Sequence, residues 1–312
     1  MTPVTGDDDL SAVAQTNLSS GRRKSSKMSY LTPTQIDSFH RYGYLVLERF
    51  WDGETVNKLR DKMTIILQGL DLKRERSIFS TKEQTRTSDE YFLESGYAIR
   101  YFWEEKAWID GELVRPAELA INKVGHGLHD LDADFEAVTY EKRVAQICRD
   151  LGMALPLAAQ SMYIFKQPHI GGEVGAHQDG TFLYTEPQSV IGFWWALDNC
   201  STSNGCLWAV PGSHALGVRR HFRRKASGEV GTEFHPVEPD DFDLTGAVPL
   251  EIPKGSLVLL HHALVHYSDG NTSEYPRHAY SVHVVDGGGG VVYPNNNWLQ
   301  RPPNHPFRPI SV

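Results

Sequence analysis

His177-Gln178-Asp179 sets an imidazole and a carboxylate two positions apart, and both can donate electron pairs to one cation. A third ligand must then come from elsewhere in the chain. Two imidazoles and a carboxylate on one face of iron(II) leave three coordination positions open for a cosubstrate and oxygen. With a carboxylate in the third protein position there is no vacancy for a halide, so such a site favours hydroxylation over halogenation. In a chain with 14 histidines a His-x-Asp triplet alone proves little. Its setting says more: the apolar run Ser161-Met162-Tyr163-Ile164-Phe165 and a Gly171-Gly172 loop precede it, and Phe182-Leu183-Tyr184 follows. A rigid strand edge can hold a ligand pair in fixed geometry.

His266 is the third ligand on this reading. It closes the stretch from Gly255 to His266, read as a buried strand running into a turn with the imidazole at its end. Arg277, eleven residues on, separates it from the other histidines. An arginine before a strand is more often a surface group. Here a buried guanidinium could grip the distal carboxylate of 2-oxoglutarate at two points, a match that lysine makes less well. His126, His129, His169, His214, His261, His262, His278 and His283 compete, and each taken singly is more often a satisfied structural histidine.

The elements that must position these groups follow from periodicity. Thr32 caps a helix with Pro33 at its first position, Gly43 ends it, and Tyr44–Leu47 reads as a strand. A second helix runs from about Glu54 to Leu67, with Val56, Leu59, Met63, Ile66 and Leu67 on its buried stripe. Residues 71–96 read as a long surface segment, Ile99–Trp103 as a strand, 127–132 as a turn region and Asp134–Leu151 as one helix. Beyond Gly152 come Leu157–Phe165, Val190–Leu197, Cys206–Val210, Ser256–Leu260 and Ala279–Val285, short runs separated by Gly, Pro, Asn and Asp clusters. The stretch 219–249 reads as a long excursion between strands. The pattern is a mainly β fold with flanking helices, a double-stranded β-helix (jelly roll, cupin-like). The expected organisation is a disordered tail over 1–28 and one domain over 29–312, helical at first, with its jelly-roll core from about 157.

Bulk properties narrow the class. The hydrophobic share of 40% and charged share of 22% belong to a globular protein, and a net charge of -8 argues against a general nucleic-acid surface. The strongest basic cluster, Arg22-Arg23-Lys24, falls in the tail. Cys148, Cys200 and Cys206 form no CxxC pair, which argues against a disulfide framework or zinc ribbon and for a reducing compartment. No apolar run is long enough to span a bilayer. No secretory, transit or peroxisomal signal is legible, so the cytoplasm is the expected compartment.

Several stretches together carry a resemblance. They are Leu45-Val46-Leu47-Glu48; Ile121-Asn122-Lys123-Val124-Gly125-His126; Gln160 to His169; Gly171-Gly172-Glu173-Val174 running to His177-Gln178-Asp179; Asn204-Gly205-Cys206-Leu207-Trp208; and Pro211-Gly212-Ser213-His214. On these the chain resembles the phytanoyl-CoA dioxygenase family over roughly residues 29–312. The resemblance implies iron at His177, Asp179 and His266, and 2-oxoglutarate contacts at Lys123, Met162, Trp194, Ser268 and Arg277. Without it Lys123 reads as a surface lysine, and Met162 and Trp194 as core. It also implies O2 as cosubstrate, ascorbate as an accessory reductant and a structural or pocket-wall place for His214. A peroxisomal location would follow by analogy alone.

The expected activity is 2-hydroxylation of phytanoyl-CoA or a related acyl-CoA, with release of succinate and CO2. A family member with another small-molecule substrate is the alternative. From a different class comes a non-catalytic, cupin-like metal-binding protein. Oligomeric state is not legible.

Overall fold

The computed structural model describes residues 29–312 apart from 71–76, 79–89, 111, 227–228, 230, 238–240 and 312. The expected 1–28 tail, with its basic cluster, lies outside the described residues.

Local chemistry sets the first elements. Thr32 and Gln35 form a reciprocal capping box at the start of α1 (Pro33–Tyr42), and Gly43 ends it in the left-handed region at φ 81°. The chain turns directly into β1 (Tyr44–Leu47). Asp52 caps α2 (Gly53–Leu67), which buries Val56, Leu59 and Met63. Next come α3 (Glu90–Leu93), β2 (Ile99–Trp103), a ribbon of β3 (Trp108–Ile109) and β4 (Glu112–Leu113), and β5 (Ile121–His126). Three helices follow: α4 (Leu128–Leu131), α5 (Ala133–Thr139) and α6 (Lys142–Asp150). The remaining elements are β6 (Pro156–Ile164), β7 (Val174–His177), α7 (Asp179–Phe182), β8 (Ile191–Ala196), β9 (Leu207–Ala209), β10 (His221–Arg224), β11 (Thr232–His235), β12 (Val248–Leu250), β13 (Leu257–His261), β14 (His266–Ser268), β15 (Ala279–Asp286) and β16 (Arg308–Pro309).

The strands form two main antiparallel sheets. The larger runs β1-β13-β8-β15-β6-β5-β2, with β16 added to β6; the smaller runs β12-β9-β14-β7. Alternate residues of the larger sheet face opposite ways. Phe193, Trp195, Tyr280, Val282 and Val284 point to the helices and meet Leu59, Phe135, Val144 and Ile147. Trp194, Ala196, Val258, Leu260 and Ala279 point to the smaller sheet and meet Leu207, Ala209 and Leu250. This is the expected jelly roll with helices on one outer face.

Trp195 ties the layers together. It is fully buried and stacks on Trp51 at 4.6 Å and 4°, while the Trp51 indole N–H donates to Glu141 at 3.0 Å. Trp195→Ala should therefore cost about 3–5 kcal/mol of stability. Denaturant unfolding checks this; a loss under about 1 kcal/mol would mean the stack is not a keystone.

Several expectations change, among them the turn region 127–132, which holds the helix α4. The helix over Asp134–Leu151 is two helices, α5 and α6, broken at Tyr140-Glu141. Glu141 is extended at φ -64° and ψ 150° and bonds Trp51 and Arg143, while the Tyr140 hydroxyl donates to Asp130. Of the expected surface segment 71–96, residues 71–76 and 79–89 lie outside the described residues, and within 90–96 Phe92, Leu93 and Ser95 are buried, Phe92 against Phe102 and Trp298. The 219–249 excursion contains the β10–β11 hairpin and β12, whose alternation is obscured because arginines flank Phe222. Finally, His266 does not end the Gly255 strand; that strand stops at His261 and His266 opens β14. The larger sheet also takes β1, β2 and β5 from before residue 157.

Candidate active site

Antiparallel pairing brings the two histidines together. His177 ends β7, His266 begins β14, and they are register partners with ring centroids 4.2 Å apart. Gln178 fixes the turn that follows. Its amide donates to Gly217 and Ala263 carbonyls at 2.8 and 2.7 Å, and its oxygen accepts from the Arg219 N–H at 3.0 Å. Asp179 then opens α7, with Oδ1 3.8 Å from His177 Nε2 and 3.5 Å from His266 Nε2. Among the described residues, these three are the one group of His, Cys, Asp or Glu able to hold a metal ion.

The protonation pattern suits a cation. Nδ1 of His177 donates to the Gly175 carbonyl at 2.8 Å, and Nδ1 of His266 to that of Leu264 at 3.1 Å. With those protons placed by their partners, each Nε2 presents a lone pair toward Asp179. Burial pulls the His177 imidazolium down to about 4, so the ring is neutral near pH 7. Burial pushes the Asp179 carboxyl up, but the positive charge that His283, His266 and His177 carry in their protonated forms outweighs it and holds it below the usual carboxylate range. Asp179 Oδ2 is buried without a hydrogen-bond partner. A carboxylate kept ionised, left half-satisfied and faced by two lone pairs fits divalent iron.

The cavity around the triad has a volume of about 460 Å³. Its walls include every residue expected to contact 2-oxoglutarate: Lys123, Met162, Trp194, Ser268 and Arg277. Arg277 is 2% exposed, its Nε donates to the Gly205 carbonyl at 3.0 Å, and its guanidinium lies 5.1 Å from the Trp194 ring centre. Its buried Nη1 has no hydrogen-bond partner. Such an orphaned donor asks for an anion. Ser268 follows His266 on β14, and Trp194 and Met162 flank Ser281 across the sheet. Lys123 is buried rather than a surface lysine, with its ammonium 5.4 Å from the Phe102 ring centre.

The cavity has a polarity axis. The inward residues of β15 run Ser281, His283, Val285, and Arg277 lies beyond the near end. Val285 at the far end joins an apolar cluster with Phe92, Leu183, Phe222 and Trp298. The Arg277 end and the aromatic end thus lie on either side of the triad, and Arg220, over the Phe234 ring at 3.8 Å, also lines the cavity.

Of the other described histidines, His126 and His283 line the cavity. His214 Nε2 bonds the His40 carbonyl at 2.9 Å, and His214 packs on His261, which packs on His262; none of the three lines the cavity. His214 is therefore structural rather than pocket wall. His283 is different: its Nε2 lies 3.3 Å from Asp179 Oδ1. Gly192 was not singled out either. A Cβ there would meet Asp179 Oδ2 at 2.6 Å, so the bare backbone is the seat of the carboxylate. Cross-strand register, invisible in a single sequence, places both.

A jelly roll presenting this donor set beside a buried arginine has the design of the iron(II) and 2-oxoglutarate oxygenases. Solved structures agree on the fold. The 2-oxoglutarate-dependent carbocyclase SnoK from nogalamycin biosynthesis superposes with a TM-score of 0.57 at 18% identity, covering 85% of this chain and 87% of its own. EctD from S. alaskensis with 2-oxoglutarate and 5-hydroxyectoine gives 0.57 at 19%, covering 84% and 78%. The phytanoyl-CoA dioxygenase family model matches residues 39–279. An Arabidopsis thaliana phytanoyl-CoA dioxygenase is 46% identical over 87% of this chain and 94% of its own length. Phytanoyl-CoA dioxygenase domain-containing protein 1 of Bos taurus is 42% identical over 91% and 99%.

The chain belongs to the phytanoyl-CoA dioxygenase family, and is accordingly a 2-oxoglutarate-dependent non-heme iron dioxygenase. No helix among the described residues is long and apolar enough to cross a membrane.

Proposed function

We propose that this enzyme hydroxylates a branched or long fatty acyl group at carbon 2, as in phytanoyl-CoA, with His177, Asp179 and His266 holding iron. Iron(II), when bound, supplies the oxygen activation that couples 2-oxoglutarate decarboxylation to substrate hydroxylation. One 2-oxoglutarate and one O2 are consumed, giving succinate, CO2 and the hydroxylated product. Arg277 grips the distal carboxylate of 2-oxoglutarate with Ser268 beside it. Lys123 neutralises the dianion, while Met162 and Trp194 wall its chain. The apolar rings keep water from the reacting carbon.

The observation that carries this reading is the polarity axis. A dianion suits the arginine end, and an apolar chain suits the Phe92, Phe222 and Trp298 end. The test is phytanoyl-CoA turnover: 2-hydroxylated product should appear in step with succinate, and succinate without that product would overturn the substrate assignment.

A second reading, the same chemistry on a smaller apolar acid without CoA, has one observation in its favour. The cations of the hairpin beside the aromatic end are engaged: Arg223 with Glu233 at 3.0 Å, Lys225 with Glu229 at 3.5 Å, and Arg224 with the Trp298 and Leu93 carbonyls. CoA phosphates would have to compete for them. Free phytanic acid assayed beside its CoA ester distinguishes the two.

Two consequences concern the cosubstrate. Arg277→Ala should raise the 2-oxoglutarate KM by about 100-fold or more, equivalent to about 3 kcal/mol, with much less effect on iron affinity. An unchanged KM removes Arg277 from the site. Lys123 gives a pH signature. Burial pulls its ammonium down to about 7, so above that value the free enzyme holds it neutral and binding a dianion must take up a proton. Affinity for 2-oxoglutarate should therefore fall as pH rises from about 7 to about 9, and Lys123→Met should lose that slope. A slope unaltered by the substitution would remove Lys123 from dianion binding.

A further inference from the structure

We infer that His283 is a positioning residue for the iron site, the hydrogen-bond donor that aims the Asp179 carboxylate at the two ligand imidazoles. The inference rests on the proposed assignment of iron to His177, Asp179 and His266.

Asp179 lies over a gap in the floor of the larger sheet. Gly192 makes the gap, and His283 is its register partner on β15. The carboxylate is thus bounded on one side by bare backbone, where Oδ2 lies, and on the other by an imidazole. Of the three histidines around Oδ1, His283 is the nearest, at 3.3 Å against 3.5 Å for His266 and 3.8 Å for His177. Yet His283 falls outside the group whose donor atoms converge closely enough to share one ion.

The hydrogen atoms decide its role. His177 and His266 each commit Nδ1–H to a backbone carbonyl, so in the neutral form neither has an Nε2–H to offer Asp179. His283 has no such commitment: its Nδ1 is buried without a partner. The tautomer that finds a partner carries its proton on Nε2, facing Oδ1. A ligating carboxylate ordinarily accepts a hydrogen bond from an outer residue that fixes its direction. At 3.3 Å the contact is at the long end of hydrogen-bond range.

The test is iron(II) binding to the apoprotein, titrated without air and without 2-oxoglutarate. His283→Leu should weaken binding by about 10- to 100-fold. His283→Gln carries its amide nitrogen at the place of Nε2 and should recover most of that loss. His283→Asn carries its amide at the place of Nδ1 and should not. The melting temperatures of the three apoproteins need not follow that order, so a merely structural role would not reproduce it. Leu binding within about twofold of wild type, or Gln no better than Asn, would overturn the inference. His177→Ala is the companion. If it too binds iron like wild type, the triad assignment falls and the inference with it; if only it loses iron, His283 alone is refuted.

Discussion

Asp179→Ala should lower iron-dependent 2-oxoglutarate turnover by roughly three orders of magnitude, about 4 kcal/mol of barrier. The side chain is the anionic member of the triad, and no other carboxylate joins the metal-competent group among the described residues. His177→Ala should behave alike, because His177 and His266 face the same oxygen of Asp179. The effect should lie on metal binding and turnover rather than on folding. Asp179 is buried, and its Oδ2 has no hydrogen-bond partner, so truncation removes a half-satisfied charge from the interior. Unfolding midpoints of the apoproteins should stay near wild type or rise. Succinate production at the wild-type rate by either purified variant would remove iron from these residues.

What could be read ahead of the structure follows physical range. His177 and Asp179 were legible because their relation is local, set by the residue between them. Gln178 turned out to fix it through three hydrogen bonds. His266 lines the cavity, but it opens β14 instead of closing the strand before it. The turn at His262 and Ala263 divides what looks like one apolar run, and only pairing with β7 and β9 shows that a new strand begins. Arg277 was legible as a guanidinium beside an apolar strand. Lys123, Met162, Trp194 and Ser268 came from resemblance, since their side-chain types equally suit a surface or a core. The break at Tyr140-Glu141 depends on Asp130 and Trp51, from other parts of the chain. No periodicity within 134–151 encodes it.

Gly192→Ala should lower activity by on the order of 100-fold, although it adds one carbon. That carbon would lie 2.6 Å from Asp179 Oδ2 and 3.3 Å from Leu260 Cβ. Both neighbours are held from behind, Asp179 by the Gln178 turn and Leu260 by its strand, so the carboxylate must move by several tenths of an ångström. A displacement approaching 1 Å at such a site costs on the order of 100-fold in activity. Iron affinity should fall with it. The backbone at Gly192 lies outside the left-handed region, so the damage is steric and not conformational. Gly53→Ala is the control: a Cβ there, at the start of α2 and away from the cavity, meets nothing within 4 Å. It should leave activity within about twofold of wild type. Equal behaviour of the two alanine variants, in turnover and in iron binding, would refute the seat assigned to Gly192.

The chemistry at iron and the nature of the substrate stand on different supports. The first rests on family membership and a convergent donor set. The second rests on the apolar far end of the cavity, with Phe92, Phe222 and Trp298, and on the names borne by relatives. A failed acyl-CoA assay would therefore redirect the search for substrate and leave the iron site untouched.

Isotope transfer from O2 tests the oxygenase chemistry most directly. Purified protein is reconstituted with iron(II) and supplied with 2-oxoglutarate and 18O2, and the succinate is analysed by mass spectrometry. One labelled oxygen should enter each succinate, only when iron is present, and the label should vanish in the Asp179→Ala protein. Unlabelled succinate, or labelled succinate formed equally well by that variant, would contradict an iron oxygenase centred on His177, Asp179 and His266.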